Sequence, residues 1–453
     1  MAEAVRHDKT ARQLRLLSDA LDSGRLGPVR RLINTLAPAE IGNLLESLPH
    51  EKRMVVWGLV DAEDDGEVLV HVGEEVRESL LADMDTDEIV AAVEDLDIDD
   101  LADLVEDLPD TVIDEVLKSM DRENRERLEQ VLSYPEDTAG RLMNPDVVTV
   151  RADTTVDVVL RYLRLRGELP EHTDHLYVVN RRHQLIGWVA LQDLVTHDAH
   201  TPVNALIDAD LTAINVDESA DQVARQFSDH DWVSAPVVDD GNVLLGRITI
   251  DDVVDIIRGQ AEHQALGAAG LDEEEDLFSS IRRAVRGRVV WLGVNLLTAF
   301  MAAFVIGQFE VTIEKVVALA VLMPIVAGIG GNAAVQVLTL MVRGIALGQV
   351  GASNARILLW KELRVAVING MLIGGLVGLV ALAWFHDWVL SLVIFSALVI
   401  NFCSAALAGV LLPLLLKRMH IDPAVAGTVV VTAVTDIMGF FSFLGLATAI
   451  MIR

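Results

Sequence analysis

Residues 423–452 read PAVAGTVVVTAVTDIMGFFSFLGLATAIMI, and one carboxylate, Asp436, interrupts this apolar run near its middle. The run is longer than the about 20 helical residues needed to cross roughly 30 Å of hydrocarbon. A charge at that depth is costly, so its presence demands a reason. Thr428 and Thr432, eight and four residues earlier, share its helical face, and Thr435 adjoins it.

Working outward, four more apolar stretches are long enough to span, at 289–309, 316–342, 365–385 and 389–416. Basic residues alternate between their connections. Arg282, Arg283, Arg286 and Arg288 precede the first span, Arg343, Arg356, Lys361 and Arg364 join the second to the third, and Lys417 and Arg418 join the fourth to the fifth. The positive-inside rule then puts the N-terminus inside and the C-terminus outside, in a multi-pass protein of the inner cell membrane. The second span carries Pro324 and then Gly328-Ile-Gly-Gly-Asn332, and the fourth carries Asn401 and Ser404. Proline and glycines at membrane depth predict a loosened helix with freed carbonyls, tolerable only against protein or water. Close helix packing is the competing reading of any one glycine, and an interhelical hydrogen bond that of Asn332. Carbonyls plus a carboxylate make a hard oxygen set that suits Mg²⁺ or Ca²⁺.

Charge divides the 453 residues into two regimes. From residue 289 onward there are 8 basic and 6 acidic residues, net +2, leaving 28 basic and 62 acidic before it, net −34. A surface that acidic repels nucleic acid and attracts cations. The single Cys403 rules out a disulfide framework, and the polar residues 1–30 lack a signal-peptide pattern, so the soluble part is expected in the cytosol.

Residues 1–135 read as an acidic all-α superhelical domain with a twelve-residue repeat. Asp85–Leu96 is followed directly by Asp97–Leu108, and Ala37–Leu48 is a looser copy. Acids at helix starts are usually caps, yet Asp99 and Asp103, four apart on one face, exceed what capping needs. Residues 136–200 and 201–260 each contain two short β-type runs and an acid-led helix: Tyr177-Val-Val, Gly187-Trp-Val-Ala-Leu and Gln192-Asp193, then Ala235-Pro-Val-Val, Gly246-Arg-Ile-Thr-Ile and Asp251-Asp252. This α/β duplication resembles a tandem CBS pair. A long charged helix is expected over about 251–287, with residues 261–288 as a connecting (plug) helix containing Asp272-Glu-Glu-Glu-Asp276, ahead of a five-helix transmembrane pore domain over 289–453.

This order of parts resembles the MgtE family of magnesium channels along nearly the whole chain. The marks are Gly330-Gly331-Asn332 with Gln336, Asp422-Pro423-Ala424, Thr435-Asp436-Ile-Met-Gly439, and Phe309-Glu310 with Glu314. The resemblance implies a homodimer in the lipid bilayer with its pore on the two-fold axis. It implies that Asp436 of each subunit holds a hydrated Mg²⁺, with the backbone at Gly328 and with Asn332 beside it. It also implies regulatory Mg²⁺ between acidic cytosolic faces, locking the pore shut through the connecting helix. The matching acids are Asp99 and Asp103, then Asp231, Asp252 and Asp255, and Asp422 below the fifth span. The chain departs from the family at Val335, at Gly427-Thr428-Val429-Val430, which lacks a proline, and at Arg258-Gly-Gln-Ala-Glu-His263, which replaces an acidic cluster. Fewer closed-state Mg²⁺ sites are expected near the pore.

Three other functions would place different demands on these residues. A coupled transporter of Mg²⁺, Co²⁺ or Mn²⁺ would use Asp436 to exchange protons or Na⁺. An intramembrane aspartyl protease needs two facing carboxylates sharing a proton, and one subunit's spans offer only Asp436. A membrane-anchored nucleotide sensor would not need five spans, which makes ATP at most a modulator. No enzymatic activity is expected, and no phosphate-binding loop is present to power pumping.

Overall fold

The computed structural model describes residues 17, 19–21, 23, 26–94, 96–209, 211–267, 269–271, 276–351, 354–419 and 421–452. Two units divide the chain: Met1–Gln260 with Glu274–Ser279, and Ala261–Glu273 with Ser280–Arg453.

Short helices open the first unit: α1 (Leu26–Ile33), α2 (Pro38–Glu46), α3 (His50–Trp57), α4 (Asp65–Val70), α5 (Glu74–Leu81), α6 (Thr86–Ala92), α7 (Ile98–Glu106), α8 (Asp110–Ser119), α9 (Arg122–Leu132) and α10 (Ala139–Leu142). Each twelve-residue repeat becomes one helix, α2, α6 or α7, beginning at its second residue. Apolar residues at helical spacing, such as Ile41, Leu44, Leu45 and Leu48, or Leu101, Leu104, Val105 and Leu108, are buried. Pro49 and Pro109 follow two of the repeats and stop their helices, because the residue before a proline disfavours helical geometry.

The CBS halves share one plan. The first runs β1 (Thr149–Val150), α11 (Val156–Arg166), β2 (His175–Val179), β3 (Leu185–Ala190) and α12 (Leu191–Thr196). The second runs β4 (Ile214–Asn215), α13 (Ala220–His230), β5 (Ser234–Val238), β6 (Leu244–Thr249) and α14 (Ile250–Gly267). In each, a short leading strand pairs parallel to the middle strand, Thr149 opposite Tyr177 and Ile214 opposite Val237. The middle strand pairs antiparallel to the last. Those leading strands and helices α11 and α13 extend the expected β-β-α units, since two-residue strands carry too little alternation to be legible. Leu101 and Leu104 of α7 belong to one apolar core with Ile214, Phe227, Ile248 and Val253 of the second CBS half.

The segment before the first span also docks in this unit. Arg53, 2% exposed, donates from Nε to the Leu45 carbonyl at 3.0 Å and from Nη2 to the Leu48 carbonyl at 3.1 Å. The same Nη2 meets Asp276 Oδ2 at 2.6 Å, and the Asp276 amide donates to Glu75 Oε2 at 3.0 Å.

The second unit holds the five spans: α15 (Ile281–Gly307), α17 (Ala318–Ala346), α18 (Ala355–Phe385), α19 (Trp388–Arg418) and α20 (Pro423–Met451), with the short α16 (Glu310–Lys315) between the first two. The fifth span packs against the first, second and fourth, and the third packs on the fourth. Asp387 and Asp422 cap their helices, accepting from Val389 N at 2.8 Å and from Ala424 N at 2.7 Å, which satisfies amides left open at the helix starts.

Two expectations are corrected. Residues 251–287 do not form one helix. Helix α14 ends at Gly267, Gly270 adopts a left-handed φ of 72°, and Leu271 N returns to the Leu266 carbonyl at 3.0 Å, a glycine-dependent helix stop. The chain resumes helix at Ile281; of the acidic run 272–276, only Asp276 lies among the described residues. The second span is not unwound either. Helix α17 is unbroken through Pro324 and the glycines, so the missing Pro324 donor is what remains of the expected loosening.

Candidate ion-binding sites

Asp436 lies midway along the fifth span, half-buried, and makes no hydrogen bond or ion pair among the described residues. The neighbouring hydroxyls do not reach for it. Thr432 donates to the Thr428 carbonyl at 2.8 Å, and Thr435, fully buried, donates to the Thr432 carbonyl at 2.9 Å. Their oxygens keep acceptor capacity, while their protons are spent inside the helix.

On the second span Pro324, Gly328, Asn332 and Gln336 follow one another at intervals of four and are all exposed, forming one polar stripe on the surface of the chain. The glycines divide by role. A Cβ on Gly330 would meet Asn401 Nδ2 at 2.1 Å, so packing explains that glycine. A Cβ on Gly328 would meet nothing within 4 Å. Gly331 faces Thr432, one turn before Asp436, at 3.6 Å from its own would-be Cβ. Asn401 is wholly buried and donates to the Val326 carbonyl at 3.0 Å.

A second concentration of carboxylates sits between the acidic helical domain and the second CBS half. Helix α7 contributes Asp97 at its N-cap, then Asp99, Asp100 and Asp103. The turn from β6 into α14 contributes Asp251, Asp252 and Asp255. Asn144 Nδ2 donates to Asp99 Oδ1 at 3.2 Å. Asp252 Oδ2 accepts from Thr249 N at 3.2 Å and from its hydroxyl at 3.1 Å, and that hydroxyl also meets Asp251 Oδ1.

These groups disfavour one another's ionisation. Burial, then the charges of Asp252, Asp100 and Asp97, push the Asp99 carboxyl well above its ordinary range. Asp100 is pushed up to about 7 by burial and then by Asp97, Asp103, Asp251 and Asp255. Asp252 also rises to about 7, through burial first and then Asp251, with Thr249 hydrogen bonds opposing. Asp97 rises through burial despite the opposing charge of Arg247.

Of the acids expected to bind regulatory Mg²⁺, Asp99, Asp103, Asp252 and Asp255 are therefore brought together. Asp231 stands apart: it ends α13 in a left-handed conformation, exposed, and is not among the charges acting most strongly on the cluster. Asp422 has both oxygens engaged, Oδ1 with the Ala424 amide and Oδ2 with His263 Nε2. The histidine thus engages the Asp422 oxygen that the helix cap leaves open. Sequence reasoning missed Asp97, Asp100 and Asp251. Their position before or within a first helical turn resembles capping, but Asp97 makes no side-chain cap bond, whereas Asp85 caps α6 properly.

The donor set suits a hydrated Mg²⁺. It is oxygen-only, partly desolvated, and in need of positive charge. No three acidic, His or Cys groups among the described residues converge closely enough to hold a metal ion directly.

Comparison with known proteins agrees with these features. Residues 323–446 match the MgtE divalent cation transporter family, residues 36–137 match the MgtE intracellular N domain, and residues 139–200 and 203–259 match CBS domains. The magnesium transporter MgtE of Thermus thermophilus is 31% identical over 451 residues, covering 96% of this chain and 98% of the relative. That of Bacillus subtilis is 26% identical, covering 95% of each. Among solved structures, the cytosolic domain of the Mg²⁺ channel MgtE in complex with ATP is 32% identical, covers 53% of this chain and 98% of its own, and has a TM-score of 0.49. With a relative this similar matched from end to end, the chain belongs to the MgtE family of magnesium transporters.

Proposed function

We propose that the chain is a Mg²⁺-selective channel whose pore lies on the two-fold axis of a homodimer and is centred on Asp436. The observation that carries this is the Asp436 carboxylate inside a membrane span, without a partner among the described residues. Left alone in hydrocarbon such a group is expensive, and a second subunit enclosing a watery path would relieve that cost. The exposed stripe Gly328–Asn332–Gln336 supports the same reading, because polar groups are not turned toward lipid without cause. Two symmetry-related carboxylates suit an ion that gives up its water reluctantly, since they can hold it through the hydration shell.

Cytosolic Mg²⁺ closes the channel by neutralising the interface of Asp97, Asp99 and Asp100 with Asp251, Asp252 and Asp255. A cation that binds the joined state better than the separated one shifts the population toward it. Mg²⁺ there would be held by Asp99, Asp100 and Asp252, with Asp103 and Asp255 adding to the field. The membrane is the inner cell membrane, with the C-terminus outside. ATP modulates through the CBS pair.

Flux into proteoliposomes tests the pore. Mg²⁺ should enter down its own gradient with no proton or Na⁺ gradient imposed, and Asp436→Ala should abolish entry. Unchanged uptake by that variant removes Asp436 from the path, and strict dependence on a counter-ion gradient makes the chain a coupled transporter instead.

A further inference from the structure

We infer that the start of the third span carries a binding site for an anionic phospholipid. Arg356, Trp360, Arg364 and Ile368 follow at four-residue spacing along α18 and are all exposed, so they form one face. Together with Ile357, Lys361 and Val365 they line an open surface recess of about 690 Å³, all of its lining residues coming from this one helix. Arg356 and Arg364 have no ion pair or hydrogen bond among the described residues. Lys361 is partly answered by the buried Glu362, 3.1 Å away. Two guanidinium groups therefore stand uncompensated, about 12 Å apart along the axis.

The depth of these residues selects the ligand. The uninterrupted apolar stretch 365–385 spans about 31 Å at 1.5 Å per residue, the thickness of the hydrocarbon layer. Arg364 then lies at the hydrocarbon boundary, Trp360 at ester level, and Arg356 among the headgroups. An indole is at home at that level. Val365 and Ile368, 42% and 54% exposed, continue the recess into the apolar layer, where acyl chains run. Arginine forks match phosphate oxygens two at a time, and basic interfacial pockets select anionic headgroups. Charge above and apolar floor below fit a phosphodiester lipid better than a free phosphate, which would have no use for the floor.

The full chain in mild detergent is titrated with phosphatidylglycerol or phosphatidylcholine, and retained lipid is counted by native mass spectrometry. Phosphatidylglycerol should be held preferentially. Arg356→Ala/Arg364→Ala should weaken it by roughly thirty-fold, about five-fold per arginine. Arg356→Lys/Arg364→Lys should keep the charge preference, and inorganic phosphate should not compete. The proposal is overturned if the alanine variant holds phosphatidylglycerol as wild type does. It is also overturned if phosphate displaces the lipid. A third adverse result is that Trp360, compared with Trp360→Phe, escapes quenching by brominated phosphatidylglycerol, which would mean a second copy covers the face.

Discussion

Asn401 and Gly330 occupy one notch: the Asn401 amide nitrogen lies 2.1 Å from where a Gly330 Cβ would stand, and 2.7 Å from that of Gly439. One buried amide of the fourth span thus meets a glycine of the second span and a glycine of the fifth, and the donation to Val326 fixes its direction. Gly330→Ala should destabilise the membrane domain by about 1–3 kcal/mol, the usual cost of overpacking. Asn401→Ala should cost about 0.6–1.7 kcal/mol, as for other polar contacts between spans. Thermal unfolding in detergent should then show the double variant Gly330→Ala/Asn401→Ala to be more stable than Gly330→Ala alone. Strictly additive losses would show that the two residues do not share the notch.

The Arg53–Asp276 pair has side chains 3% and 7% exposed, so removing one partner strands a charge. Arg53→Ala should cost about 3–5 kcal/mol, whereas replacing both partners by apolar residues of similar volume should cost far less. Protection of residues 276–279 from hydrogen exchange is the local readout, and it should be lost in Arg53→Ala. Retained protection would mean that Asp276 is held chiefly by Glu75.

Acidity should substitute for cation at the interface between α7 and α14. The Asp100 and Asp252 carboxyls rise from the ordinary carboxylate range to about 7 when buried together, so the folded interface binds more protons than the separated one. Its stability should fall as pH rises from about 4 to about 7 and stay low above that. Hydrogen exchange over residues 98–106, followed without Mg²⁺ between pH 5 and 8, should show protection lost with rising pH, and Mg²⁺ should restore it at pH 8. Asp252→Asn should flatten both responses. A protection profile independent of pH and Mg²⁺ would leave these carboxylates with no coupling role.

His263 should stabilise the start of the fifth span. Its contact leaves Asp422 engaged on both oxygens, so His263→Ala should free one of them without removing the cap to Ala424. The expected result is a modest fall in melting temperature and greater sensitivity of flux to internal Mg²⁺, now able to use the released oxygen. No change in either would assign the contact to packing alone.

The sequence made the five spans and Asp436 legible because hydropathy and an isolated charge are local signals. Thr432 and Thr435 show where local reading stops: spacing places them beside Asp436, but in the folded helix their hydroxyls donate back along their own backbone. The Arg53–Asp276 pair joins residues 223 positions apart, and Arg53 in His50-Glu-Lys-Arg-Met reads as an ordinary solvated charge. Asp97 and Asp100 were masked for a different reason. Acids at a helix start have a routine use, and the charges opposing them arrive from another domain. The break after Gly267 was the most readable of the missed features, since glycines at 267 and 270 mark a helix end.

The crowding of carboxylates on α7 and α14 fixes the steepness of any response, as well as its sign. Asp100 raises both Asp99 and Asp252, so the faces join only when several of these charges are neutralised, which ties the joining to more than one cation. If several ions enter for each joining of the faces, the joined fraction depends on free cation raised to that number. A narrow band of internal concentration then separates two conditions of the molecule, so that the interface acts as a threshold detector.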